Sequence, residues 1–561
     1  MQSKKTTMLL FKSASFFLMF VLASPILAAS NTKLVLQITI DGLRPDLLNR
    51  SPDRFSKGGF NYLLKNGAVY TNAHYQHANT ETIVGHTTLA TGATPSVHGM
   101  TGNVWFDQET KELAYNIEDP DSPLLPTRKT EKETTQVDPA QKLARSKGRS
   151  PKAILVPTFS DTLSAYYGKD SKVFGISGKD RGAVAMAGHT GKAFWFSTNT
   201  GDFISSQYYY NKYPDWVQKW NGQRKSERYA NQEWTLLNES SSYRQADQDD
   251  RPYEVDLKGF GRSFPHPYGP AEHPLFYTQV LVSPAGDKLT LDFAKSLIVN
   301  EGLGQDNIPD YLSISFSGVD AVNHFFGPNS LENEDSIRQL DHTLENLFNF
   351  IEKKVGLKNT VIVLSADHGM ADMPEYISDK GYKVGRLYSE DIVALSNKIG
   401  ADLFGLSNVT RFFFRPYLYL DDEVIVRSKL DKTIVMQAIA EQLMIHEGIA
   451  IAMSKHGFTS IQDNWLIHNI RNNYHPLRSG DIYIAQSPYW FMFEKGPVAA
   501  MHGSPWRYDT HVPIIFAGSM IRAGTSSQLI HPVDVAPTLS ALLGITPPSS
   551  SQGRVLKDVV R

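Results

Sequence analysis

Apolar runs without polar alternation punctuate the chain, and several of them stop at residues that can do chemistry. Leu34-Val35-Leu36-Gln37-Ile38-Thr39-Ile40 is mostly apolar and β-branched and ends at Asp41-Gly42-Leu43-Arg44-Pro45. Unbroken apolar character predicts a central strand covered on both faces, as in a parallel sheet flanked by helices. The pattern recurs. Lys172-Val173-Phe174-Gly175-Ile176 opens onto Ser177-Gly178-Lys179-Asp180-Arg181-Gly182, and the run 311–316 ends at Ser317-Gly318-Val319-Asp320-Ala321-Val322-Asn323-His324. The run 360–365 leads into Ala366-Asp367-His368-Gly369, and another strand, Val512-Pro513-Ile514-Ile515-Phe516, is preceded by His511. Between the runs, helices are expected over 154–167, 286–299 and 533–543, and Ile337, Leu340, Leu344, Leu347 and Ile351 mark one face of a further helix at 3–4 spacing. A helix is also expected to begin at or beside Thr82 and stop at Gly92. The α/β rhythm lapses over about 194–280, which is aromatic and polar, and over about 375–500, where a strand-like run 411–420 and a helix around 432–446 stand in an irregular block. Both blocks read as insertions.

Composition narrows the class. With 561 residues, 41% of them apolar and 11% aromatic, the chain buries a large core and exceeds one ordinary domain. It contains no cysteine, which excludes disulfides, thiolate metal sites and a thiol nucleophile. Lys4, Lys5 and Lys12 precede or flank the apolar run 13–28, which small residues close; this is the pattern of a signal peptide over 1–28, with the fold in 29–561. Its removal takes away three lysines and no acid, so the mature chain is more acidic than the formal −2 of the whole. Bulk charge therefore argues against a nucleic-acid partner. The mature protein is expected to be periplasmic or secreted and to lack a membrane anchor.

The candidate chemistry gathers at strand ends, where open α/β sheets carry their ligands. Thr82, in Asn79-Thr80-Glu81-Thr82-Ile83-Val84-Gly85-His86, sits where free N–H groups and the positive end of a helix favour an alkoxide or a phosphate. An ordinary Thr cap satisfies the same pattern; the surrounding constellation argues for more. Asp41, Asp320, His324, Asp367, His368 and His511 supply three carboxylates and three imidazoles. Such a sulfur-free N/O set suits Zn²⁺, and less often Mn²⁺ or Fe, and six ligands are too many for one tetrahedral ion and right for two. Lys179 and Arg181 can converge on one oxyanion or pair with Asp180, and Asn103 can donate a hydrogen bond or make a turn.

The order Asp, Thr-x-x-x-His, Asn, Asp-x-x-x-His, Asp-His-Gly, His resembles the alkaline phosphatase superfamily over nearly the whole mature chain. Ser-Gly-Lys-Asp-Arg around Lys179 and His-Gly-Met-Thr-Gly-Asn-Val-Trp around Asn103 resemble its phosphate-irrepressible PafA-type members. The resemblance implies an alkaline phosphatase-like three-layer α/β/α fold with a mostly parallel sheet and inserted subdomains. It implies two Zn²⁺, one on Asp320, His324 and His511, the other on Asp41, Thr82, Asp367 and His368. Asn103, Lys179 and Arg181 would hold the phosphoryl oxygens of small-molecule phosphate monoesters, hydrolysed through a phosphothreonine at Thr82. The alternatives are a phosphodiesterase or nucleotide pyrophosphatase using the same site, and a non-catalytic exported metal-binding module.

Overall fold

The computed structural model describes residues 32–559 apart from 51, 108–109, 128–137 and 461–463; the expected signal peptide lies outside the described residues. The elements used below are β1 (Leu34–Ile40), β2 (Ala68–His74), β3 (Val173–Ser177), β4 (Lys192–Phe196), β5 (Phe203–Ile204), β6 (Asp310–Phe316) and β7 (Thr360–Ser365). They continue with β8 (Thr410–Phe414), β9 (Tyr417–Leu420), β10 (Ile449–Ser454), β11 (Ile482–Gln486), β12 (His511–Gly518) and β13 (Gly524–Ser526). The helices are α1 (Thr82–Thr91), α2 (Asp180–Ala187), α3 (Pro284–Glu301), α4 (Gly318–Phe326), α5 (Leu331–Lys354) and α6 (Val535–Leu543).

Among the described residues, nine strands form the main sheet in the order β13-β2-β12-β7-β1-β6-β3-β4-β5. The run β7-β1-β6-β3-β4 is parallel, and β12 enters antiparallel between β7 and β2. Every residue of β1, β6 and β7 is buried, as their unbroken apolar character requires. On one face Leu34, Leu36, Ile38 and Ile40 pack with Phe293 of α3 and Leu344 and Leu347 of α5. On the other, Val35, Tyr311, Val361 and Val363 pack with Leu89 of α1 and Leu539 and Leu542 of α6. The chain is thus an α/β protein with helices on both sides of a mostly parallel sheet.

Register then positions the chemistry. Ile40 lies opposite Phe316, Thr39 opposite Ser365, and Ser315 opposite Ser177, so four parallel strands end level with one another. Asp41, Asp320, Asp367 and Lys179 all leave that common edge.

Three expectations shift. The helix expected over 154–167 begins only at Phe159, because Pro157 holds its neighbour out of the helical region and Thr158 caps the helix in a box with Asp161. The run 411–420 is a hairpin, β8 and β9, because Pro416 cannot continue a ladder. The block 375–500 is more regular than its pattern suggests. It holds an antiparallel sheet, β8-β9-β11-β10, over a core of its own that includes Leu418, Ile439 and Ile484. The aromatic block packs into the principal core instead: Trp220 and Trp234 belong to it, Trp216 packs against it, and Phe203 stacks on Phe293 of α3 at 4.3 Å.

Candidate active site

Thr82 is the first residue of α1 and is fully buried; Glu81 before it is extended, with φ −96° and ψ 159°. The helix approaches β7 so closely that a Cβ on Gly85 would lie 1.9 Å from the carbonyl oxygen of Asp367. Only glycine allows this, and the contact seats Thr82 beside the Asp367-His368 turn. The Thr82 hydroxyl is 3.5 Å from Nε2 of His368 and 3.5 Å from a guanidinium nitrogen of Arg181.

Two overlapping groups of side chains are close enough to hold metal ions: Asp41, Asp320 and His368, and Asp320, His324 and His502. Nε2 of His368 is 3.3 Å from Asp41 and 3.5 Å from Asp367, while Nε2 of His324 is 3.3 Å and Nε2 of His502 3.6 Å from Asp320. In each histidine Nδ1 meets a backbone carbonyl, that of Gly369, Ala500 or Thr80, at 2.8–2.9 Å. A carbonyl only accepts, so Nδ1 carries a proton in each ring and Nε2 is the atom that faces the carboxylates, the orientation a metal-binding imidazole needs. The carboxylates match. Oδ1 of Asp41, Oδ1 of Asp320 and Oδ2 of Asp367 are buried without a well-formed hydrogen bond. Oδ2 of Asp367 lies 3.1 Å from Nδ1 of His86, which also meets the Thr82 carbonyl, and so ties α1 to β7 from behind.

Here the expectation for His511 is corrected. The structure brings His502, not His511, to Asp320. His511 opens β12, two strands from β1, stacks on His74 at 4.5 Å and turns Nε2 to the Thr71 carbonyl at 3.0 Å. Running antiparallel, β12 does start at the carboxyl edge of the parallel strands, since Ile514 lies opposite Ser365, but its first residue pairs with His74 of β2, on the side away from β1. His502 sits in the preceding loop and stacks on His368 at 3.5 Å with an interplanar angle of 10°. Its signal was the Gly that follows it, the same His-Gly step as His368-Gly369. The other expected residues converge: Asp41, Thr82, Asp320, His324, Asp367 and His368 meet as described, and Asn103, Lys179 and Arg181 line the same cleft.

Charge balance is tight. Lys179 reaches Oδ2 of Asp41 at 2.7 Å and also pairs with Asp320, and Arg181 pairs with Asp138 at 2.6 Å. Burial and Asp320 push the Asp41 carboxyl up, but Lys179 and His368 outweigh them and hold it at about 2. Burial also opposes ionisation of Asp320, yet His324 and Lys179 keep it well below the usual carboxylate range. Asp367 is raised, by burial and by Asp41. Burial pushes His368 down, but Asp367 and Asp41 lift it to about 9.

The cleft encloses about 240 Å³. Asn103, Lys179, Arg181, His324 and His502 form its polar end, and Trp195, Phe196, Phe325, Phe414 and Phe493 line its walls. A buried nucleophile-grade hydroxyl at a helix N-terminus, two potential cation sites and two fixed cations are what in-line transfer of a phosphoryl group requires.

Family comparison agrees with this geometry. Residues 35–505 match the model of the type I phosphodiesterase / nucleotide pyrophosphatase family, and the chain belongs to that family. It is an alkaline phosphatase/phosphodiesterase-family hydrolase. The chain is 33% identical over 533 residues to alkaline phosphatase PhoV of Synechococcus elongatus, covering 94% of this chain and 93% of that protein. It is 32% identical over 542 residues to alkaline phosphatase PafA of Elizabethkingia meningoseptica, covering 95% of each. The crystal structure of wild-type alkaline phosphatase PafA superposes with a TM-score of 0.86 at 30% identity, covering 94% of this chain and 99% of that one.

Proposed function

We propose that the chain is an exported phosphate monoesterase that works through a covalent phosphothreonine at Thr82. The observation that carries this reading is the contact of one buried hydroxyl with both His368 and Arg181 at 3.5 Å, beside three aspartates and Lys179. On this reading residues 29–561 are one catalytic unit with inserted segments at about 194–280 and 375–500. Asp320, His324 and His502 would hold one Zn²⁺, and Asp41, Thr82, Asp367 and His368 a second; bound there, the ions would favour ionisation of the Thr82 hydroxyl and of water and neutralise developing negative charge. Thr82 Oγ forms a bond to phosphorus as the ester P–O bond breaks, and its proton ends on the departing alcohol. Water then displaces Thr82 Oγ, releasing inorganic phosphate and restoring the hydroxyl. Asn103 and Arg181 orient the phosphoryl oxygens, and α1 presents its free N–H groups to them. Lys179 and Arg181 together favour a monoester dianion over a diester monoanion, since the dianion carries one more charge. The names of the relatives at about a third identity support the monoester side; the family's description supports diesters.

The test compares aryl phosphate mono- and diesters with zinc content measured on the same samples. Lys179→Ala should lower kcat/KM for the monoester by about 10²-fold and for the diester by less than about tenfold. Equal losses on both would reject the monoesterase reading.

A further inference from the structure

The stretch Thr80-Glu81-Thr82 does more than deliver the hydroxyl. Thr80 binds the loop that carries His502 from both ends: its carbonyl accepts from Nδ1 of His502 at 2.8 Å, and its hydroxyl donates to the Ser504 carbonyl at 2.9 Å. Glu81 turns its carboxylate the other way. Oε2 accepts the backbone N–H of Asn103 at 2.6 Å, and Oε1 accepts from the guanidinium of Arg415 at 3.2 Å. Both side chains are almost wholly buried, at 9% and 3% exposure. Arg415 belongs to the second inserted segment, in the two-residue turn between β8 and β9, where it also donates to the Met492 carbonyl at 3.2 Å. Its guanidinium lies directly on Gly503, the neighbour of His502: a Cβ there would be 2.4 Å from the nitrogen, and Gly503 holds φ +104°, which other residues rarely adopt. Asn103 Oδ1 in turn faces the N–H of Ile83, in the first turn of α1, at 3.5 Å.

We infer that Glu81 and Arg415 are a positioning pair that couples the second inserted segment to the phosphoryl-binding face, by fixing the Asn103 turn against the start of α1. A buried carboxylate bonded to one backbone N–H and one guanidinium has little freedom to shift. Removing its charge leaves Arg415 buried and unmatched, which drives the guanidinium to move. Asn103 then loses the bond that sets its backbone, and a donor displaced by a fraction of an ångström no longer stabilises the transferring group. The inference rests on the function proposed above for Asn103 and Thr82, and it concerns two residues of the same cleft that are neither among the proposed metal ligands nor among the proposed phosphoryl-binding side chains.

A two-background experiment separates the two claims. Glu81→Gln is made in the native chain and in Asn103→Ala, and kcat and KM are measured for an aryl phosphate monoester in the zinc-loaded protein, with zinc content and unfolding midpoint alongside. Asn103→Ala alone should lower kcat/KM by about 10²-fold, as loss of a transition-state donor does; no loss would overturn the proposed role of Asn103, not the pair. Glu81→Gln should lower kcat/KM by about tenfold in the native background, mainly in kcat, and by less than about twofold when Asn103 is already alanine. Equal loss in both backgrounds, or no loss in the native one, overturns the positioning role. Should Glu81→Gln not fold, Arg415→Lys, which keeps the charge and removes the planar fork, is read in the same two backgrounds by the same criteria.

Discussion

Two clusters of buried carboxylates in this molecule behave in opposite ways. At the strand ends, Asp41 and Asp320 are held low because Lys179 and the rings of His324 and His368 face them. Where the first inserted segment meets the start of α5, burial and the neighbouring Glu332 push Glu254 up to about 9, and burial raises Glu332 well above its ordinary value. Arg251 pulls both acids the other way without overcoming burial, and His266 adds no positive charge. Burial lowers it to about 4, its Nδ1 meets the Phe260 carbonyl at 3.0 Å, and its Nε2 lies 3.1 Å from Glu332. A neutral ring so arranged accepts at Nε2, so Glu332 carries the proton between them. Burial, helped by neighbouring acids, therefore keeps these carboxyls neutral. Asp41 and Asp320, with cations assembled against them, stay ionised and able to bind metal, whereas Glu254 and Glu332 do not.

The sharpest way to break this contrast is to remove what the ionised cluster serves. Thr82→Ala should abolish monoester turnover, by about 10⁴-fold or more, while zinc content and the unfolding midpoint stay near native; measured residual activity near native would end the nucleophile assignment. Next in size is the histidine pair. His502→Ala should cost about 10²-fold or more in activity and about half of the bound zinc, whereas His511→Ala should stay within about threefold of native activity and keep its zinc, as read by elemental analysis of matched samples. The reverse ranking would restore His511 as the ligand. The smallest effect concerns the neutral cluster. Glu254 titrates higher folded than unfolded, so its stabilising effect is complete below its ordinary value of 4.5 and is lost as pH rises toward about 9. The cost grows by at most about 1.4 kcal/mol per pH unit across that window. The unfolding midpoint should accordingly fall between pH 6 and 9. Glu254→Gln should flatten that slope and raise the midpoint at pH 8.5, with turnover within about twofold of native. An unchanged slope would remove Glu254 from the neutral cluster.

Legibility followed range. The strands that end at Asp41, Asp320 and Asp367 were readable because full burial on both faces demands unbroken apolar runs, and a polar residue after such a run is conspicuous. Asp320 and His324, four apart on α4, were readable from helical spacing. His502 was not, because it comes from an irregular loop and is held by Thr80, 422 positions away in the chain. Glu81 was invisible as a positioning residue: its partners Asn103 and Arg415 lie in separate loops that no local pattern joins. The hairpin of β8 and β9 was missed for a different reason, a single proline inside an apolar run.

What the sequence by itself determined was the parallel sheet, the strand ends that bear its acids, and the helix that starts at Thr82, since these follow from local periodicity, capping and burial. Which histidine completes the cluster, which acids stay charged, and how an inserted segment reaches the first turn of α1 were decided only by tertiary structure. Orientation, dielectric surroundings and contacts between distant loops are properties of the folded packing, and no run of neighbouring residues encodes them.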